Sequence, residues 1–160
     1  MPIMIATPYG KDLGERNALE ALGDTPERVR ALVSAWPAEK FEQSYAPGKW
    51  SARQLLIHLA QTELALTTRA RFALTQPQYA AQAFSQDVWL PLDSHADART
   101  ALDAYVALRR LNVLFFRGLS EADRQRTFSH PEYGDLTVDW IANQLAGHDL
   151  HHLVHFQSIA

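Results

Sequence analysis

The sequence predicts an all-α protein in which four long helices form a bundle, with one long crossover loop between the second and third helices. Four long stretches show helical periodicity, and no segment shows the apolar–polar alternation of a β-strand. Residues 77–94 indicate the crossover, because they contain two prolines and little periodicity. A chain of 160 residues is the size of one domain, so we expect a single domain over residues 1–160.

The first helical stretch follows an irregular arm, residues 1–10, and begins at about Glu15. Thr25 can cap a new helical segment and Pro26 can open it, because the nitrogen of a first-turn residue needs no partner inside the helix. We therefore expect the stretch to be interrupted here, to resume, and to end at about Trp36.

The second helix has the clearest start. Ser51 and Gln54 match the S-x-x-Q capping box, in which two side chains satisfy free backbone N–H groups at the helix start. The helix is expected to run to about Leu74 and to stop before Pro77.

Two further helices complete the bundle. Ser94 can cap the third, which runs to about Arg117, and Thr137 can cap the last, which reaches about Ile159. Between them we expect a short turn and then a loop at residues 130–134.

Composition excludes several classes of function. The formal net charge is −3 and no basic stripe is present, so there is no electrostatic case for nucleic acid binding. The absence of cysteine rules out disulfides and Cys-ligated metal sites, and it suits a cytoplasmic protein. We expect neither a signal peptide nor a membrane span, because no apolar run has the required length or flanks.

The last helix carries an unusual density of histidines. Four of the seven histidines in the chain fall within residues 147–155. Residues four apart lie nearly one above the other on a helix, so His148 pairs with His152 and His151 pairs with His155. Two imidazoles at this spacing can bind one transition metal ion. On a helical wheel the first pair lies within the apolar stripe, and the second drifts toward its edge.

The second helix shows the same anomaly. Its apolar face carries three polar residues, His58, Thr62 and Arg69. Thr62 most simply bonds back to its own helix. Arg69 is interpreted either as a structural ion-pair partner or as an active-site residue that holds an anionic substrate group. Glu63 lies about 140° round from His58, which predicts a solvated flank residue or a hydrogen-bond partner of a ligand histidine.

Polar groups on buried faces need a compensating partner, because burying them alone is costly. A divalent cation bound by His58, His148 and His152 would supply one for the three imidazoles that face the core. Three neutral imidazoles and one open position are typical of a catalytic site rather than a closed structural site. His151 and His155 are then expected to lie at the rim or to hydrogen-bond to the ligands.

Other interpretations of the histidines were weighed. Residues 148–152 resemble the H-E-x-x-H motif of zincin proteases, but Asp149 is a methylene shorter than Glu and no strand is predicted to line a peptide cleft, so we reject this interpretation. His130 is interpreted as a loop residue that could rim the site, and His95 as a solvated residue.

The order and spacing of several segments resemble a known family. Residues 45–63, with Arg69 after them, are similar to the first signature of the DinB/YfiT-like family of metalloenzymes. The loop at residues 130–134 and the run at residues 148–155 resemble the closing signature of its YfiT-like branch. The resemblance extends from about residue 17 to residue 159.

The resemblance implies a four-helix bundle that binds a divalent metal, zinc or nickel, through His58, His148 and His152. The family includes thiol S-transferases that use low-molecular-weight thiols, and proteins described as metal-dependent hydrolases. Homodimers are common among its members, so a homodimer is implied here too.

Two hypotheses about function follow. The first is a metal-dependent enzyme that acts on a small molecule, by thiol transfer or by hydrolysis, with Arg69, His151 and His155 lining the site. The second is a non-catalytic, stress-related bundle protein in which the metal only stabilises the fold. The sequence does not decide between thiol transfer and hydrolysis, because a metal ion activates a bound thiol and a bound water in the same way.

Overall fold

The computed structural model describes residues 5–160 and is mainly helical. Its elements in chain order are α1 (Gly10–Leu13), α2 (Ala18–Val33), α3 (Ala52–Thr75), α4 (Gln86–Trp89), α5 (Ala98–Arg117), α6 (Glu121–Arg124), β1 (Thr127–His130), β2 (Gly134–Thr137) and α7 (Val138–Ile159). Short 3₁₀ turns lie at Ala38–Glu42 and Leu90–Asp93.

The four long helices, α2, α3, α5 and α7, pack as a bundle. Each of α2 and α3 contacts both α5 and α7, so α2 and α3 lie diagonally across the core from each other. Each helix contributes a fully buried side chain, namely Leu22, Leu55, Tyr105 and Phe156. The predicted four-helix bundle is confirmed, and the crossover between α3 and α5 contains α4. No helix within residues 5–160 is long and apolar enough to cross a membrane.

Side-chain caps fix the starts of the long helices. Ser51 and Gln54 form the predicted capping box at α3, and Thr137 caps α7 as predicted. The start of α5 was predicted too early, because its cap is Asp97 rather than Ser94. The Asp97 carboxylate accepts a backbone N–H from the first turn of α5 at 2.7 Å. Ser94 lies too far before that turn to accept this hydrogen bond.

Helix α2 continues through Pro26, so the predicted interruption was wrong. Pro26 has no N–H, and the carbonyl of Leu22 therefore lacks its usual partner four residues later. The guanidinium of Arg109, on α5, donates to this oxygen at 3.2 Å. A neighbouring helix thus replaces the missing hydrogen bond, while Thr25 and Pro26 are buried in the bundle rather than placed at a helix start.

Strands β1 and β2 form an antiparallel hairpin, so the prediction that the chain contains no strand was wrong. Residues 130–134, predicted to be a loop, form its tip. Each strand has only four residues, which is too short for alternation to be recognised in the sequence. Ser129 of β1 also bridges to Ala80 of the crossover, so the hairpin ties the crossover to the start of α7.

Candidate metal centre

Three histidine side chains from two helices converge inside the bundle. His58 lies on α3, and His148 and His152 lie one turn apart on α7. Nε2 of His58 is 2.8 Å from Nε2 of His148, which is 3.1 Å from Nε2 of His152. All three residues are buried. The structure therefore brings together the three predicted ligands, while metal binding itself stays a prediction.

A shared divalent transition metal ion would satisfy the three rings better than hydrogen bonds among them. A neutral imidazole has one N–H and one lone pair. Nε2 of His148 lies within hydrogen-bond distance of Nε2 of both His58 and His152, but its single N–H or lone pair can bond to only one of them. A metal ion would instead accept the lone pairs of all three Nε2 atoms. Nitrogens bound about 2.0–2.1 Å from one tetrahedral zinc ion lie about 3.3–3.4 Å apart, close to the spacing of the Nε2 atoms. Imidazole is also a donor that suits zinc and nickel.

Burial keeps the rings of His58 and His152 neutral. Burial, followed by the proximity of His148, lowers the pKa of His58 to about 3. Burial, followed by His148 and His58, also lowers the pKa of His152. Both rings are therefore uncharged at neutral pH, which is the form in which imidazole binds a metal.

His151 and His155 lie on the far side of His152. Nδ1 of His155 is 3.2 Å from Nδ1 of His152, and Nδ1 of His151 is 3.5 Å from a carboxylate oxygen of Asp12 on α1. If His152 donates its Nδ1–H to His155, its Nε2 lone pair points toward His148. The sequence predicted that both residues lie at the rim of the site or hydrogen-bond to the ligands; His155 contacts His152, and neither residue lines the cavity that opens onto the site.

A cavity of about 200 Å³ opens onto His58 and His148. Arg69 lies in its wall and donates to the carbonyl of Gln82 at 2.6 Å. Burial lowers the pKa of Arg69, and no carboxylate pairs with it within 4.0 Å in the described part of the chain, so the structural ion-pair interpretation fails. Other polar residues of the wall are Tyr9, Thr62, His130, Glu132, Tyr133 and Gln144.

Two of these wall residues have clear structural roles. Thr62 Oγ1 donates to the carbonyl of His58 at 2.8 Å, as predicted, and so bonds back to its own helix. His130 is buried in the hairpin, and its Nδ1 accepts the backbone N–H groups of Glu132 and Tyr133 at 3.1 and 3.2 Å. His95, in contrast, is exposed, as predicted.

Glu63 is fully buried, so its prediction as a solvated flank residue was wrong. It accepts hydrogen bonds from Arg109 at 3.0 and 2.8 Å and from Asn112 at 3.0 Å. The wheel placed the core on one side of α3, but α3 packs on both α5 and α7, and Glu63 faces α5. The suggested hydrogen bond from Glu63 to a ligand histidine is not formed.

Arg109 joins Glu63 to a second buried carboxylate, Asp149, in a network that sequence reasoning missed. Its Nη1 lies 2.6 Å from Asp149 Oδ2, which also accepts the Tyr105 hydroxyl at 2.5 Å. Burial alone would raise the pKa of Asp149, but Arg109 and then His148 bring it below its usual value. Two carboxylates and one guanidinium leave a net negative charge beside the histidines, which favours a cation there.

Tyr9, just before α1, closes one side of the site, which the sequence did not predict. The ring of Tyr9 packs against the rings of His148 and His151, each with centroids 5.1 Å apart. Gly147 permits this approach, because a Cβ atom at this position would lie 2.5 Å from the carbonyl oxygen of Tyr9. In the sequence, the only indication of this close contact was Gly147, a glycine inside an otherwise helical pattern.

Comparison with known proteins supports the family and the fold. The sequence profile of the DinB superfamily matches residues 21–155. A protein of Oceanobacillus iheyensis named "putative metal-dependent hydrolase" is 28% identical over 142 residues, which cover 88% of this chain and 83% of the relative. One of Halalkalibacterium halodurans with the same name is 25% identical over 133 residues, 82% of this chain and 78% of the relative.

A solved structure gives the same picture at the level of the fold. YfiT from Bacillus subtilis, described as "a probable metal-dependent hydrolase with an unusual four-helix bundle topology", superposes with a TM-score of 0.82 and 22% identity. The match covers 99% of this chain and 90% of YfiT. The family and fold predicted from the sequence are thus confirmed: the chain belongs to the DinB superfamily and folds as a YfiT-like four-helix bundle.

Proposed function

We propose that the protein is a metal-dependent enzyme that binds one divalent transition metal ion through Nε2 of His58, His148 and His152. The convergence of three buried Nε2 atoms within 2.8 and 3.1 Å of their neighbours carries this proposal. A cation there would also offset the net negative charge of the buried network formed by Glu63, Arg109 and Asp149.

The site is better suited to catalysis than to a closed structural role. Three protein ligands leave one position of a tetrahedral ion free, and the cavity beside His58 and His148 reaches that side of the cluster. A divalent cation with three neutral ligands would lower the pKa of a water or thiol bound to it. Burial lowers the pKa of His58 and of His152, which keeps the lone pairs of these two rings unprotonated for this purpose.

We infer hydrolysis of a small molecule as the reaction that the site supports best, since relatives with most of their length in common are named as hydrolases. Arg69 is buried and has no carboxylate partner among residues 5–160, so its role would be to hold an anionic group of the substrate in the cavity. The same feature favours thiol transfer as the second candidate, because a low-molecular-weight thiol that carries a carboxylate would fit Arg69 while its sulfur reaches the metal.

Metal analysis of the purified protein beside ligand variants tests the proposal. We expect wild type to hold one tightly bound divalent ion per chain and to turn over members of a panel of small esters, amides and thiol–electrophile pairs. His58→Ala and His152→Ala should lose the ion and the turnover, whereas His95→Ala, which removes an exposed histidine, should keep both. Arg69→Ala should keep the ion and raise KM for anionic substrates more than for neutral ones.

The outcomes separate an enzyme from a structural metal protein. Metal-free protein that stays folded and only loses turnover supports catalysis. Metal-free protein that unfolds, with no turnover of any pair in the panel by the metal-loaded form, would instead favour the stress-related bundle protein. Retention of the ion in His58→Ala would refute the ligand set.

A further inference from the structure

A second group of ligand atoms lies on the outer side of α7, apart from the cavity. His151 and His155 are four residues apart on this helix, and Asp12 faces them from α1 of the N-terminal arm. We propose that His151, His155 and Asp12 form a second divalent transition-metal site, reached from solvent. This outer site does not depend on whether the inner ion is catalytic.

The proposed ligand atoms lie near one another. Ligand nitrogens of His151 and His155 lie within 4.8 Å of each other, and the nearest approach of His151 to Asp12 is 3.5 Å. Ligands of a tetrahedral zinc ion are about 3.3 Å apart, so the Asp12 carboxylate has to rotate toward His155 to complete the set. The side chains of His151 and Asp12 are 40% and 31% exposed, which gives Asp12 room to rotate and makes both side chains accessible to an ion.

Two tyrosine rings hold the side chains of His151 and His155 near the arrangement that would bind an ion. Tyr45 stacks on His155 with ring centroids 3.8 Å apart and an interplanar angle of 6°. Tyr9 packs on His151 with centroids 5.1 Å apart. Side chains that are already ordered lose less conformational entropy when they bind. Asp12 would add a negative charge to the two imidazole ligands, although the positive charge of nearby Lys49 works against it.

The contact between His152, of the inner site, and His155, of the outer site, couples the two sites. When Nε2 of His152 binds the inner ion, the proton of His152 is on Nδ1 and is donated to Nδ1 of His155, 3.2 Å away. His155 must give up this hydrogen bond to bind an outer ion, whichever of its nitrogens is used. When the inner ion is bound, the loss of this hydrogen bond weakens binding at the outer site about two- to tenfold. Repulsion between the two ions weakens it in the same direction.

Equilibrium dialysis of the full-length protein against increasing Zn²⁺ tests the proposal. Wild type is expected to bind two ions per chain in two steps. Asp12→Asn should keep the tight step unchanged and lose the weak one. The double variant His151→Ala/His155→Ala should also lose the weak step, while its tight step weakens because His152 loses the acceptor of its Nδ1–H. His58→Ala should lose the tight inner step and bind the outer ion about two- to tenfold more tightly than wild type. His95→Ala controls for the loss of one exposed imidazole.

Each outcome has a distinct meaning. Wild type that saturates at one ion would overturn the outer site, and so would a weak step that persists unchanged in both Asp12→Asn and the double histidine variant. A tight step that persists in His58→Ala would contradict the inner ligand set instead, so the two proposals fail separately. Asp12 lies on α1 and its side chain is partly exposed, so Asp12→Asn is expected to fold. The outer site can therefore be tested even if the core variant His58→Ala does not fold.

Discussion

Arg109 connects three helices of the bundle through a single buried side chain. It donates to Leu22 on α2 and to Glu63 on α3, and it pairs with Asp149 on α7. Its side chain is 2% exposed, so each of these contacts is shielded from water. Removing the guanidinium would leave two buried carboxylates without a counter-charge and one helical carbonyl without a donor.

We therefore expect Arg109→Met to lower the free energy of unfolding by about 3–5 kcal/mol, the usual result of removing one partner of a buried ion pair. Urea denaturation at neutral pH measures the change. Arg110→Met is the matched control, because Arg110 pairs with Glu27 on the surface, with side chains 62% and 46% exposed. The control should lose less than about 1 kcal/mol. Equal losses in the two variants would show that the network does not stabilise the bundle.

At the residue scale the sequence predicts which three histidines converge and misses their surroundings. His58, His148 and His152 were recognisable because polar rings on apolar stripes conflict with burial. Glu63 gave no such conflict on a wheel of α3 alone, since its burial arises from contact with α5. Whether the flank of the apolar stripe on α3 is exposed to solvent depends on where the neighbouring helix packs. The periodicity of α3 alone does not contain that information.

At the element scale, glycine has opposite roles in two of the helices. In α7, a methyl group at Gly147 would meet the backbone of Tyr9 at 2.5 Å, and neither chain segment can move aside easily. In α2, a methyl group at Gly23 would meet only the end of the Arg117 side chain at 3.4 Å, which can rotate. The same substitution should therefore change stability in opposite directions.

We expect Gly147→Ala to destabilise the protein by about 1–3 kcal/mol by displacing the arm from α7. Gly23→Ala should stabilise it by about 0.5–1 kcal/mol, because glycine loses more backbone freedom than alanine in a helix. Thermal denaturation compares the two, and the fluorescence of Trp140, whose indole donates to Ala6 of the arm at 3.0 Å, reports whether the arm has moved. A stable Gly147→Ala with unchanged fluorescence would contradict the close packing.

Elements that are specified locally were predictable, and those specified by contacts elsewhere were not. The capping box at Ser51 and the cap at Thr137 involve only neighbouring residues, and both were found where predicted. The continuity of α2 through Pro26 depends on a donor from α5, and the hairpin depends on pairing between two four-residue strands. Neither dependence is visible in a local window of sequence.

At the scale of the whole molecule, the neutral histidines link folding to pH. Burial lowers the pKa of His58 from 6.5 to about 3, so between these values the unfolded chain binds a proton that the folded chain does not. Stability therefore rises with pH through this window and is lost as pH falls. Asp149, whose pKa is also lowered, adds to the loss only near or below pH 4.

For metal-free protein, we expect the free energy of unfolding to fall as pH decreases from 6.5 to 4.5, with His58 contributing about 1.4 kcal/mol per pH unit. Urea denaturation at several pH values measures the slope. His58→Gln should reduce the slope by about that amount, and His95→Ala should leave it as in wild type. If His58→Gln and wild type had equal slopes, His58 would not be buried in its neutral form.

The separation of 90 residues between His58 and His148 has a consequence for how the proposed metal site would be filled. During synthesis the first histidine leaves the ribosome long before the other two exist, and a partly made chain offers ions only weak, single contacts. An ion held by all three can be captured only once both helices have docked, in the final stage of maturation. Loading would then depend on the metals present in the compartment where folding ends, rather than where translation begins.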